Sequence, residues 1–130
     1  MFIYAFQNSA YEDNIMKTII AGSRDVTDYE YVTQACRDCG WEITSVVSGT
    51  AKGVDILGER YAEENGLPLF RFPADWTRYG KRAGYIRNSK MASVADALVA
   101  VWDGSSRGTE HMINIAKETG LKVYVKIVPV

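Results

Sequence analysis

The strict alternation of short apolar runs with amphipathic stretches is the feature that most constrains this chain. Lys17–Ala21 is a short apolar run that ends at Gly22. Asp28 is placed to cap a helix reaching Cys39, where Gly40 stops it. Glu42–Ser48 is a second, β-branched run. A helix over residues 52–65 follows, with Val54, Leu57 and Tyr61 on one face and Gly66 as its stop. Leu67–Phe72 reads as a third strand ended by Pro73, and a helix is predicted over 81–94. Ala97–Trp102 is the fourth strand, Arg107–Thr119 a helix closed by Gly120, and Lys122–Val128 the last strand.

Strand and helix taking turns in this way predict an α/β fold with a mainly parallel five-stranded sheet and helices on both faces. That is a three-layer, Rossmann-like domain. It is expected to span residues 16–130, with residues 1–15 as an N-terminal extension, because Met16-Lys17-Thr18 reads as a natural start to the first strand. Right-handed crossovers place every strand-to-helix loop on one edge of such a sheet. Ligands bind at that carboxyl edge, near the point where the strand order reverses.

Composition narrows the function classes. No apolar run approaches the roughly 18 residues of a membrane span, and the first residues lack the basic start and apolar stretch of a secretory signal. The net charge of −1 argues against a general nucleic-acid binder. Yet Arg78, Lys81, Arg82, Arg87 and Lys90 lie between Trp76 and Lys90 with no acid among them, which suits an anionic partner of limited size or a solvated helix face. Cys36 and Cys39 form a C-x-x-C at the end of a helix, where redox pairs are not found, and His111 is the only histidine. Core packing on the face shared with Tyr29 and Val32 is therefore expected, in a reducing cytoplasm.

The predicted edge loops are the least ordinary parts of the chain. They read Gly22-Ser23-Arg24-Asp25, Ser48-Gly49-Thr50-Ala51-Lys52-Gly53-Val54-Asp55, Pro73-Ala74-Asp75-Trp76 and Asp103-Gly104-Ser105-Ser106-Arg107-Gly108-Thr109. Glycines let a backbone approach a ligand closely, hydroxyls donate, and each following helix offers unpaired N–H groups. Gly49 and Gly53 fit neither the Walker loop nor the G-x-G-x-x-G fingerprint. Convergence of four such loops nevertheless suits a phosphate and a ribose. Arg87, beside Asn88, has the fork to grip a phosphate. Trp76, Tyr79 and Tyr85 could stack a base or simply pack. Asp55 and Asp103 could accept from ribose hydroxyls, although Asp55 could equally brace the turn of its own helix. Asp25, Asp55, Asp75 and Asp103 are single acids on separate loops, so no metal set or cofactor is evident. Magnesium would enter only with the ligand's phosphates.

The segments 21–25, 48–55, 73–76, 84–88 and 102–109 together resemble the YspA/YpsA-like branch of the SLOG superfamily, over about residues 16–125. The resemblance implies a Rossmannoid fold, a nucleotide or nucleotide-derived ligand and a homo-oligomer; the phosphate grip is expected at Arg87 and the Gly104–Thr109 loop. Arg87 with Met91 and Ala95–Leu98 is also similar to the arginine segment of the Lonely Guy phosphoribohydrolases, which cleave the base from nucleoside 5′-monophosphates. Gly108-Thr109 resembles the end of their glycine loop. There the acidic pair stands where His111 and Met112 stand here, whereas Glu110 directly follows the threonine. One residue of offset turns a helical side chain by about 100°, so Glu110 is expected to point elsewhere, with Asp103 as a substitute carboxylate. Residues 48–55 are similar to a loop of the DNA-processing protein A family, which would imply single-stranded DNA. The pI near 5.8 and the single basic segment weigh against that. The expectation is a small-ligand binding module, sensor or sequestering protein, of dimeric form, with a phosphoribohydrolase as the alternative and Asp103 and Glu110 as its candidate acids.

Overall fold

Strand β1 (Lys17–Gly22) lies at the centre of the sheet, between β2 (Ser45–Ser48) and β4 (Ala97–Trp102). Its unbroken apolar run follows from that position, since Ile19, Ile20 and Ala21 are covered on both faces. The computed structural model describes residues 15–130; the expected extension over residues 1–15 lies, but for Ile15, outside them. β3 (Leu69–Arg71) pairs outside β2 and β5 (Lys122–Ile127) outside β4, giving the order β3-β2-β1-β4-β5. Every pairing is parallel, so the sheet is parallel throughout.

Alternation along the strands divides the core into two layers. Ile20, Val46, Val99 and Val101 face one side, where they pack with Val32, Ala35 and Cys36 of α1 (Tyr29–Asp38) and Val54 and Ala62 of α2 (Val54–Glu64). Ile19, Val47, Leu98 and Ala100 face the other. There they meet Met91 and Ala92 of α4 (Ala83–Val94) and Met112, Ile113 and Ala116 of α5 (Arg107–Thr119). Each fully buried Val, Leu, Ile or Met among them contributes roughly 1.5–3 kcal/mol by leaving water. The layers make this a Rossmann-like α/β fold.

The elements arise where local chemistry places them. Asp28 caps α1 by accepting from the Glu30 amide at 3.0 Å. Gly120 ends α5 in the left-handed region, at φ +88°. Cys36 and Cys39 are free thiols buried in the α1 layer, in the packing role expected. The segment after Pro73 is more divided than its composition suggests. A single turn, α3 (Trp76–Tyr79), is capped by Asp75 accepting from Arg78 N at 3.1 Å. A 3₁₀ turn over Gly80–Arg82 then leads into α4.

After β3 the chain crosses the sheet and re-enters it at β4, on the other side of β1. The β1/β4 boundary is thus the switch point, and their loops part there to open a crevice. Gly22 is opposite Val101 in the register. A Cβ on Gly22 would stand 1.9 Å from the Val101 carbonyl oxygen and 2.8 Å from Val54 Cγ2. Only glycine fits, and its absence of side chain gives the crevice its floor.

Candidate functional site

A cleft of about 320 Å³ opens above the β1/β4 boundary. Gly22, Arg24 and Asp25 reach it from the β1 loop, and Asp103, Ser106, Gly108 and Thr109 from the β4 loop and the start of α5. Asp55 enters from α2, Trp76 from α3, and Lys81, Tyr85, Arg87 and Asn88 from the 3₁₀ turn and α4. Met91 and Met112 provide an apolar wall. A second lobe of about 320 Å³ adjoins it, lined by Gly49, Thr50, Lys52, Pro73 and Ala74. Arg24, Ala51, Trp76 and Arg87 line both lobes and form the neck between them.

Arg87 is held at this neck from two directions. Its Nη1 donates to the Gly49 carbonyl oxygen, and its Nε donates to Asn88 Oδ1 at 2.9 Å. Gly49 separates Arg87 from Asp55: a Cβ there would stand 2.8 Å from Arg87 Nη1 and 2.7 Å from Asp55 Oδ2. The two charges face each other across glycine without an ion pair within 4 Å; such pairs among the described residues are Arg60–Glu64 and Arg71–Glu59. Asp55 is only 5% exposed, and its Oδ2 accepts from Ala51 N at 3.2 Å. Burial pushes its carboxyl up to about 6, against the pull of the Ala51 amide and of Arg87. Burial likewise lowers the Arg87 guanidinium, which Asp55 partly offsets.

The opposite wall is a hydrogen-bonded frame. Buried Ser23 Oγ lies 2.9 Å from Ser106 Oγ and accepts from Asp103 N at 2.9 Å, tying the β1 loop to the β4 loop. Asp103 Oδ1 accepts from Ser105 N at 2.9 Å and Ser106 N at 2.8 Å. Those amides hold its carboxyl below the usual range. The loop's own carboxylate therefore occupies amides that the sequence offered to a phosphate. Asn88 is 5% exposed, donates to Gly108 O at 3.3 Å and meets His111 Nδ1 at 3.1 Å. His111 stacks on Tyr85 with centroids 4.1 Å apart and planes 8° apart, and burial lowers its pKa. Tyr85 is thereby fixed at the cleft edge, while Trp76, 51% exposed, stands at the neck.

The 48–55 loop is built from inside. Ser48 is fully buried; its Oγ donates to Glu59 Oε2 at 2.7 Å and accepts from Thr50 N at 3.0 Å. Thr50 has φ +65°, a conformation that L residues rarely adopt and β-branched ones least. Gly53 has φ +82°, and a Cβ there would stand 2.4 Å from the Ser23 carbonyl oxygen. Together these contacts hold Thr50 and Lys52 on the side lobe.

Of the residues singled out from the sequence, Gly22, Arg24, Asp55, Trp76, Arg87, Asn88, Asp103, Ser106, Gly108 and Thr109 line the main cleft, as do Asp25, Ala51, Lys81 and Tyr85. Gly49, Thr50 and Lys52 line the side lobe instead. Ser23, Ser48 and Gly53 support the loops from behind, and Gly104, Ser105 and Arg107 line neither lobe. Glu110 is exposed and also lines neither, whereas its neighbour Thr109 is buried against the cleft. Met91 and Met112, named in the sequence only through the likeness to the phosphoribohydrolases, also line the main cleft. The His111–Asn88 contact joins two helices distant in sequence and had no local signal. No group of three or more His, Cys, Asp or Glu among the described residues could hold a metal ion. No described helix is long and apolar enough to cross a membrane.

Residues 16–79, which carry β1, the 48–55 loop and Trp76, match the model of the YspA, cpYpsA-related SLOG family. The chain is also 37% identical over 86 residues to the gene 61 protein of Mycobacterium phage D29, covering 60% of this chain and 67% of that protein. The chain belongs to the YspA, cpYpsA-related SLOG family.

Proposed function

We propose that this chain binds a nucleotide or nucleotide-derived phosphate ligand in the cleft above β1 and β4, as a sensor or sequestering protein. One observation carries the reading: the Arg87 guanidinium is tethered at the neck by Gly49 and Asn88 and has no carboxylate within 4 Å among the described residues. A partly buried, unpaired guanidinium is stabilised by a ligand oxyanion. Around it stand acceptors for hydroxyls, Asp55 and Asp103, and aromatic faces at Trp76 and Tyr85. Three carboxylates in a cleft of this size suit a small ligand better than a nucleic-acid strand.

Binding is better supported than N-glycosidic cleavage. Asp103 braces its own loop, and Glu110 lies outside both lobes. The test is thermal shift against nucleoside mono- and diphosphates, cyclic dinucleotides and ADP-ribose derivatives. A ligand at 100 times its Kd contributes about 2.7 kcal/mol, several degrees in Tm. Arg87→Ala should lose that gain. Absence of any gain in the wild type, with Arg87→Ala behaving alike, would refute the proposal. Release of free base, seen by chromatography and abolished by Asp103→Asn, would establish the hydrolase instead.

A further inference from the structure

The two lobes differ in the sign of what lines them. The main lobe mixes Arg24, Lys81 and Arg87 with Asp25, Asp55 and Asp103. The side lobe has Arg24, Lys52 and Arg87 and no acid at all. A negative group in the main lobe has three carboxylates among its lining residues, whereas every charged residue lining the side lobe among the described residues is a cation. Hydroxyls and a base suit the main lobe, and phosphoryl oxygens suit the neck and what lies beyond it. The amides of Thr50 and Ala51 are already satisfied by Ser48 and Asp55, so the side lobe must hold an anion with side chains, Lys52 foremost.

The count of charges gives the class of ligand. A phosphate monoester carries about −1.5 to −2 at neutral pH. Arg24 and Arg87 at the neck match it, and Lys52 remains beyond them. We infer that the side lobe is a second phosphoryl site, so that the ligand is a nucleoside diphosphate or longer phosphate ester whose nucleoside lies in the main lobe. This rests on the nucleotide reading above and adds to it the number and position of the phosphoryl groups.

The test is calorimetric titration of wild type and Lys52→Ala with the monophosphate and diphosphate of the same nucleoside, for each common base. Lys52 is exposed, so the variant retains the fold. In the wild type the diphosphate should bind about tenfold more tightly, the effect of one charge-assisted contact. In Lys52→Ala the ratio should fall below about threefold. Equal wild-type affinities would overturn the second site while leaving the nucleotide reading intact. A diphosphate preference that survives in Lys52→Ala would overturn the side lobe as its location. No binding of any nucleotide would sink both readings together.

Discussion

Replacing Asp55 by Asn should make the protein more stable at neutral pH and poorer at binding. In the folded chain burial raises the Asp55 carboxyl from its ordinary 3.8 to about 6. Well below pH 3.8 the folded and unfolded chains both hold the proton. Between 3.8 and about 6 the unfolded chain ionises first, so the folded state binds more protons and stability falls as pH rises. Above about 6 the loss is complete. At 1.36 kcal/mol per factor of ten in proton affinity, it amounts to about 3 kcal/mol. An asparagine keeps an oxygen for the Ala51 amide and cannot ionise. Part of that loss is already present at pH 4, so the advantage of Asp55→Asn over wild type should grow by about 2 kcal/mol between pH 4 and pH 7, about 8 °C in Tm for a chain of this size. Urea and thermal melts of both proteins at pH 4, 5, 6, 7 and 8 measure it, and every other titrating group cancels in the difference. A difference constant across that range, or one that shrinks as pH rises, would refute the account of Asp55. Neutral-pH stability gained at the expense of ligand affinity is the usual exchange at a binding site.

Two further outcomes follow from the same geometry. Gly22→Ala forces a Cβ to within 1.9 Å of the Val101 carbonyl, and moving the central strands apart should cost more than about 3 kcal/mol, seen as a collapse of the urea midpoint. Burial pushes the Cys36 thiol up to about 12, so a thiol reagent at pH 8 should leave Cys36 unlabelled in the native protein and modify it after unfolding; fast native labelling would contradict the packing role.

The proposed site, with a raised Asp55 and a guanidinium at Arg87 that no carboxylate pairs within 4 Å, also says where folding energy is withheld. Both groups are held in place by backbone contacts, to Ala51 and to Gly49. No ion pair within 4 Å joins them, and the space that a side chain at position 49 would fill lies between them. A ligand that brings hydroxyls to one and oxyanions to the other would relieve both at once, which makes binding and stability two readings of one arrangement.

Much of this was determined by the sequence alone. The period of its apolar residues dictated five strands and the helices between them, because parallel strands covered on both faces must be apolar throughout. Ala97–Trp102 and Arg107–Thr119 coincide with observed elements, and local caps such as Asp28 and Gly120 end them as their chemistry requires. Family motifs also pointed to the carboxyl edge and to Arg87. Tertiary structure decided which loop groups line the cleft. Asp103 turned to its own amides, Ser23 and Ser48 became supports, and the 48–55 loop opened a separate lobe. Those outcomes depend on contacts between residues as distant as Ser23 and Ser106 or Gly49 and Arg87. A side chain's hydrogen bonds are set by whichever partner the packed sheet brings near, and linear spacing holds no record of that distance.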